Sequence, residues 1–431
     1  MNVLHHWQVL AQRQKPLFQG ILILLQGREK PLIDMHTGIA VNSVGSCNAE
    51  VNAYVAQQIG KVVHTAPSFE TDMLIEASKK LLGTFAPNSE VIWVNSGAEA
   101  NENMVMAARA FHHHNGNPER TEVIAFKGCF HGRTMAMRAL QGKFTDGIGI
   151  DPAALGFKKA EFNDIASVLA QITDKTAAII IEPIQGEGGI IPAKKEFLEA
   201  LRLECNKRGI LLLFDEVQTG VGRTGKFWAH EHYGVKPDLM SSAKGLGAGL
   251  PVGAVLMTGE VAAKLREKPP NGLTAYSVGS TFGGNSAALA AVSKVVDLMT
   301  TRDEYMGRDA QERAALLRSE MDKLFAEFKD SGLIKEVRGI GGMMIGIEVG
   351  TDAMKLRKDL LDKGLIVMNA GTNAIRLLPP VNISREHILE ATEILREHFR
   401  ELQRGVGSPP NGGKPDGDPL QVNPPEKKVG T

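Results

Sequence analysis

Short, wholly apolar runs alternate with longer stretches of helical spacing from about residue 88 onward. VIWVNSG (91–97), TEVIAFKG (121–128), AAIIIEPI (177–184) and ILLLFDE (210–216) are rich in Ile, Leu and Val, and they lack the polar alternation of a half-exposed strand. A strand that is apolar on both faces must be covered on both faces. These runs therefore predict a mostly parallel sheet flanked by helices such as those expected over 99–111 and 195–208. The fold class that follows is α/β, in which ligands sit beyond the carboxyl ends of the strands.

Around residue 300 the pattern changes. A charged stretch of helical spacing (303–329) leads into EVRGIGGMMIGIEVG, LIVMNAG and AIRLLPP, and a last helix is expected from about 385 to 403. This predicts a smaller α+β domain. After Arg404 the chain is dense in Gly and Pro and nearly free of apolar residues, which reads as a disordered tail. A chain of 431 residues exceeds one compact core. The expected division is an N-terminal arm and part of the small domain over 1–50, a large domain over 51–300, the small domain over 301–404, and the tail over 405–431.

Charge and cysteine content narrow the function classes. The 49 basic and 49 acidic residues balance, so nothing favours nucleic acid or an anionic membrane as a partner. The three cysteines have no C-x-x-C spacing, which fits a reducing compartment and excludes a disulfide framework. The first 28 residues contain no acid, but also no serine and few arginines, so they read as an arm and not as a transit peptide. The apolar run 21–25 is too short to span a membrane. The expected location is the cytoplasm.

One segment invites a specific test. Gly220-Val-Gly-Arg-Thr-Gly225-Lys226 has the spacing of a phosphate-cradling loop, G-x-x-x-x-G-K. Such a loop needs Ser or Thr after the lysine to ligate magnesium, and here Phe227 follows. Five residues also separate it from the preceding apolar run. GIGGMMIG (339–346) and GLGAGLPVG (245–253) each miss the third glycine of a dinucleotide motif and read as turns. HHHN at 112–115 and His230-Glu231-His232 lack further ligands at metal-binding spacing and read as solvated helix ends.

The acid that ends the fourth run is a better candidate. Asp215 is placed where a carboxylate can face a ligand at the edge of the sheet. Downstream, Lys244 lies between Ser-Ser-Ala and a run of glycines, so little would obstruct its approach to a bound group. NSGAEANENM (95–104), CFHGRT (129–134), IIEPIQGEGG (180–189), LLLFDEVQTGVGRTGK (211–226), DLMSSAKGLGAGLPVGA (238–254), GSTFGGN (279–285) and NAIRLLPP (373–380) follow one another in that order. With these motifs the chain resembles the class III (omega) aminotransferases, from roughly residue 18 to 403. These are pyridoxal 5′-phosphate enzymes of fold type I, and within them the chain looks most like the acetylornithine subgroup.

The resemblance implies a role for each matching residue. Lys244 would hold the cofactor covalently through its amine and shuttle a proton, which requires a neutral form that burial favours. Asp215 would pair with the pyridine nitrogen. Ser96, Gly97 and Ala98 would bind the phosphate at a helix N-terminus. The family usually has threonine where this chain has Ala98, so the backbone amides are the expected contacts there. Ser280 and Thr281 would complete the phosphate cup of a neighbouring subunit, which implies a homodimer. Phe130 and Val217 would press on the two faces of the ring, and Gln218 would meet its phenolic oxygen.

For the substrate, the resemblance gives Arg376 the α-carboxylate and Arg133 the distal carboxylate of 2-oxoglutarate. Glu187 would pair with Arg376 when a substrate has no carboxylate there. The reaction expected is ping-pong transfer of an amino group from N-acetylornithine to 2-oxoglutarate. Ornithine, 4-aminobutyrate or another ω-amino compound is the alternative donor. The paired arginines speak against a racemase or aminomutase on the same scaffold, and a homologue that binds the cofactor without turning over is the non-enzymatic alternative. The chain departs from the family pattern at NSVGSCNAEV (42–51), at Val278, and at Asn285-Ser286-Ala287.

Overall fold

The computed structural model describes residues 22–23, 31–66, 68–142, 149, 151–267 and 279–405. The expected tail beyond Gly405, most of the N-terminal arm and Val278 lie outside them.

The apolar runs form a seven-stranded sheet. Its strands are β1 (Glu90–Val94), β2 (Glu122–Phe126), β3 (Phe157–Ala160), β4 (Thr176–Ile181), β5 (Leu211–Asp215), β6 (Leu239–Ser242) and β7 (Gly253–Met257), in the order β1-β7-β6-β5-β4-β2-β3. β7 runs antiparallel to both its neighbours, and the other pairings are parallel. The continuous apolar sequence has the reason expected of it. In β4 and β5, Ile179, Ile181, Leu212 and Phe214 belong to one buried cluster, while Ala178, Ile180, Leu211 and Leu213 belong to another. Successive side chains point to opposite faces, and each face has its own core.

Helices cover both faces. The first three are α1 (Ala49–Ile59), α2 (Asp72–Leu82) and α3 (Gly97–His114), followed by α4 (Lys195–Arg208) and α5 (Ser286–Thr301). α3 buries Ala100, Met104, Val105, Ala107 and Ala108 on one side of the sheet, whereas α4 buries Phe197, Leu198, Leu201 and Cys205 on the other. Each buried Leu, Ile or Phe removed from water contributes on the order of 1.5–3 kcal/mol before conformational entropy is set against it.

The C-terminal part is built on α6 (Arg308–Phe328), β8 (Ile334–Arg338), β9 (Ile345–Val349), α7 (Ala353–Asp362), β10 (Met368–Ala370), β11 (Ala374–Leu377) and α8 (Arg385–Gln403). The four strands make an antiparallel sheet in the order β8-β9-β11-β10. α6 and α8 lie against each other, with the rings of Phe328 and Phe399 5.5 Å apart. A further small sheet pairs Leu32–Asp34 with Leu22–Ile23 and with Leu365–Ile366, which fastens the N-terminal segment to the C-terminal part. Among the described residues, no helix is long and apolar enough to cross a membrane.

The histidine-rich stretches are not the solvated helix ends that the sequence suggested. His112 and His114 are buried, with ring nitrogens 2.8 Å from the Ala177 carbonyl and 3.1 Å from the Lys264 carbonyl. The last turn of α3 is tucked under the sheet, and the imidazoles satisfy backbone groups there. His230 is also buried, 2.9 Å from Glu216.

Candidate active site

The carboxyl ends of the parallel strands converge on one cavity of about 460 Å³. Each wall arises where a strand stops. β1 ends at Val94, and after Asn95 the chain turns into α3. Ser96 is the N-cap of that helix: its backbone is extended, and its hydroxyl accepts a hydrogen bond from the Glu99 amide (3.2 Å). The amides of the first turn have no intrahelical partners, so the N-terminus of this 18-residue helix faces the cavity as an anion site. Gly97 is required at that point. A Cβ there would lie 2.7 Å from a methyl group of Val217, which forms the adjoining wall. Ala98 and Phe130 also line the cavity, and Phe130 comes from the loop after β2.

Asp215 is the last residue of β5 and lies opposite Ser241 of β6. It is 3% exposed. Its Oδ2 accepts from Asn101 Nδ2 (2.7 Å) and lies 2.7 Å from His131 Nδ1. Its Oδ1 accepts from the Val217 amide (3.0 Å). The Ser241 hydroxyl also donates to Oδ1 (3.4 Å), so four groups fix the carboxylate from behind. Burial alone would pull the His131 imidazole down, but Cys129 and Asp215 outweigh it and hold it up at about 10. Glu182, just past β4, also lines the cavity and accepts from the amides of Phe130 (2.9 Å) and Gly186 (3.2 Å). Burial pushes its carboxyl up to about 8.

Lys244 follows β6 by two residues and lines the same cavity. Its φ of +46° lies in the left-handed region, sparsely used by residues with a side chain and often found at functional positions. Burial holds its amine below the ordinary lysine value, against the opposing pull of Asp215 and Glu187.

Charged groups of opposite sign stand on the remaining sides. Arg376, on β11, is 2% exposed, and its Nη2 donates to Glu187 (2.6 Å) while its Nη1 donates to Gln218 (3.3 Å). Glu187 and Gln218 line the cavity. A Cβ at Gly186 would meet Gln218 Oε1 at 2.2 Å, so a side chain there would displace that amide. Arg133 is exposed at the rim, with its guanidinium 5.8 Å from the centre of the Phe130 ring. Among the described residues it makes no ion pair.

The fold thus brings ten of the residues singled out in the sequence around one cavity, with Arg376 joined to it through Glu187 and Gln218. Ser280 and Thr281 are not in its lining. Ser280 accepts from Asn95 Nδ2 (2.5 Å) and lines a separate hollow with Phe69 and Trp93, and Thr281 is exposed. Asn101, His131 and Glu182 were missed by sequence reasoning. All three sit inside or beside quoted motifs, but only the fold shows that they face Asp215 or its cavity. Among the described residues, no cluster of His, Cys, Asp and Glu is built to hold a metal.

Comparisons with known proteins agree on the family. The model of the family "Aminotransferase class-III" matches residues 19–399. The chain is 40% identical over 384 residues to an acetylornithine aminotransferase of Mesorhizobium japonicum, which covers 89% of this chain and 92% of that one. Among solved structures it is similar to the N-acetylornithine aminotransferase of Stenotrophomonas maltophilia, with TM-score 0.75 and 29% identity over 92% of this chain and 99% of that one. It is also similar to the ornithine aminotransferase of Toxoplasma gondii, with TM-score 0.80 and 26% identity over 91% of this chain and 93% of that one. With a match that spans nearly the whole chain and a site assembled from the motifs that carry it, the chain belongs to the class-III aminotransferases, pyridoxal-phosphate-dependent transaminases.

Proposed function

We propose that this transaminase moves an amino group from N-acetylornithine, or a similar ω-amino donor, to 2-oxoglutarate in two half-reactions. The observation that carries the reading is the Arg376–Glu187 pair, at 2.6 Å, with the exposed Arg133 at the rim of the same cavity. A pocket that must take glutamate and an ω-amino compound in turn needs a cation that can be covered or uncovered. Glu187 covers Arg376 for a donor end without a carboxylate, and it swings away when a carboxylate arrives. Arg133 is left to hold the distal carboxylate of 2-oxoglutarate.

The residues present fit pyridoxal phosphate. A buried carboxylate fixed by four donors suits a protonated ring nitrogen, and an amide-lined helix N-terminus suits a phosphate. Phe130 and Val217 stand where they would enclose the ring, and Gln218 would reach its phenolic oxygen. Ser280 and Thr281 would close the phosphate cup of a second copy, which makes the working unit a dimer. The cofactor, when bound, supplies the electron sink that stabilises a carbanion at the substrate carbon. Lys244 removes and returns the proton at that carbon, and its depressed basicity makes the neutral amine accessible. Asp215, held in place by His131 and Asn101, would pair with the protonated ring nitrogen.

A visible spectrum of the cofactor-loaded protein, titrated with one amine at a time and no keto acid, tests this. N-acetylornithine should bleach the cofactor's visible band, and 2-oxoglutarate should restore it. Ornithine or 4-aminobutyrate doing so in its place would keep the chemistry and change the donor. A band that never forms would refute the roles given to Lys244 and Asp215.

A further inference from the structure

Arg223 stands within the glycine-rich segment that imitates a phosphate loop. It is fully buried, yet among the described residues no carboxylate lies within ion-pair distance of it. Burial pulls its guanidinium down to about 9, with Asp34 the charge that works the other way, so at neutral pH it is a buried cation. Such a group destabilises the fold unless its hydrogen bonds compensate.

Those hydrogen bonds all go to segments that set the position of Arg376. Nη1 donates to the carbonyls of Met343 (3.1 Å) and Pro379, and Nη2 donates to Ser43 Oγ (2.9 Å). The Arg223 carbonyl accepts from the Met343 amide (2.9 Å). Met343 lies two residues before β9, and Pro379 lies two residues after β11. β9 and β11 are the paired strands on which Gly346 stands opposite Arg376. Ser43 completes the junction, since its carbonyl accepts from the Val381 amide (2.9 Å). At its other end, Arg223 follows Gln218 by five residues along the loop that leaves Asp215. One planar fork therefore ties the loop after Asp215 to the strand that carries Arg376 and to the strand paired with it.

We infer that Arg223 is a positioning residue: it fixes Arg376 relative to Lys244 and so sets the affinity for substrate carboxylates. The inference rests on the reading of Arg376 as a carboxylate anchor. A lysine would keep the charge, but its compact ammonium cannot span the three acceptors that the planar guanidinium reaches.

Steady-state kinetics of three variants, with the unfolding temperature of each, test it. Arg223→Lys should raise KM for 2-oxoglutarate about tenfold, and leave kcat and the KM of the amino donor, for which Glu187 covers Arg376, within about twofold. Ser43→Ala removes one acceptor and keeps the cation, and it should raise KM for 2-oxoglutarate about threefold. If Arg223→Lys does not accumulate as folded protein, Ser43→Ala decides by its KM. A purely structural role lowers the unfolding temperature and leaves KM of the folded enzyme unchanged, and that result in both variants overturns the inference. Arg376→Lys separates the two claims. If it leaves KM for 2-oxoglutarate unchanged, the anchor reading fails and the inference with it. If it raises that KM while the other two variants do not, only the positioning role falls.

Discussion

Asp215 and Glu216 are neighbours in the chain and do different work because the strand turns successive side chains to opposite sides. Asp215 faces the cavity. Glu216 turns the other way, is fully buried, and accepts from the amides of Ala229 (2.6 Å) and His230 (2.8 Å), which folds the following loop. Another single residue with a readable consequence is His36. It is 3% exposed, its Nδ1 accepts from the Ile39 amide (3.2 Å), and burial lowers its pKa to about 3. Arg376, Lys244, Arg223 and Arg357 add to the shift. A folded-state pKa below the unfolded value means that the neutral form contributes stability above about pH 6.5. That contribution is lost as pH falls from there towards 3. His36→Asn keeps an acceptor near the Nδ1 position and cannot titrate. Over that range the folding constant of the native protein should fall more steeply than the variant's, by up to about tenfold per pH unit, as read from urea unfolding. Parallel curves would refute the assignment.

At the scale of elements, the decisive junction is the passage from β1 into α3. Asn95 binds Ser280, Ser96 caps the helix, and Gly97 packs on Val217. The phosphate role proposed for this junction would depend on the backbone approaching closely, because Ala98 offers no hydroxyl. Gly97→Ala should therefore push the helix start away from Val217. We expect cofactor affinity to fall at least about tenfold, measured by equilibrium dialysis, with the helix content unchanged in circular dichroism. Unaltered affinity would mean that the phosphate is held elsewhere.

For the whole molecule, the surface around Ser280 is unusually apolar. Phe69 and Phe282 are 65% and 60% exposed. The His64 ring packs 5.3 Å from Phe282, and Phe69 lines the hollow that Ser280 shares. Exposed aromatics grouped in this way suit the interface proposed above, where Ser280 and Thr281 would meet a second copy. Light scattering should give the mass of two chains, and Phe282→Asp should give one chain and loss of the cofactor. A single chain that keeps the cofactor with native affinity would exclude a shared phosphate cup.

The sequence alone determined the sheet and the strand ends at which the candidate site lies. Runs such as ILLLFDE have to be buried on both faces, and that forces a parallel sheet with helices on either side and its site at the strand ends. Asp215 was legible because it ends such a run, so that strand position fixes where its side chain goes, whereas Lys244 stood out only in company with the ordered motifs that carry the family resemblance. Other features depended on contacts between residues far apart in the chain. The Asn101–Asp215–His131 cluster joins a helix, a loop and a strand end, and no spacing rule encodes that. His112 looked exposed in a run of three histidines, and a carbonyl 65 residues away buries it. Arg223 looked like part of a failed phosphate loop. Only the tertiary structure, by bringing Ser43, Met343 and Pro379 to one guanidinium, gave that residue a reason to be an arginine.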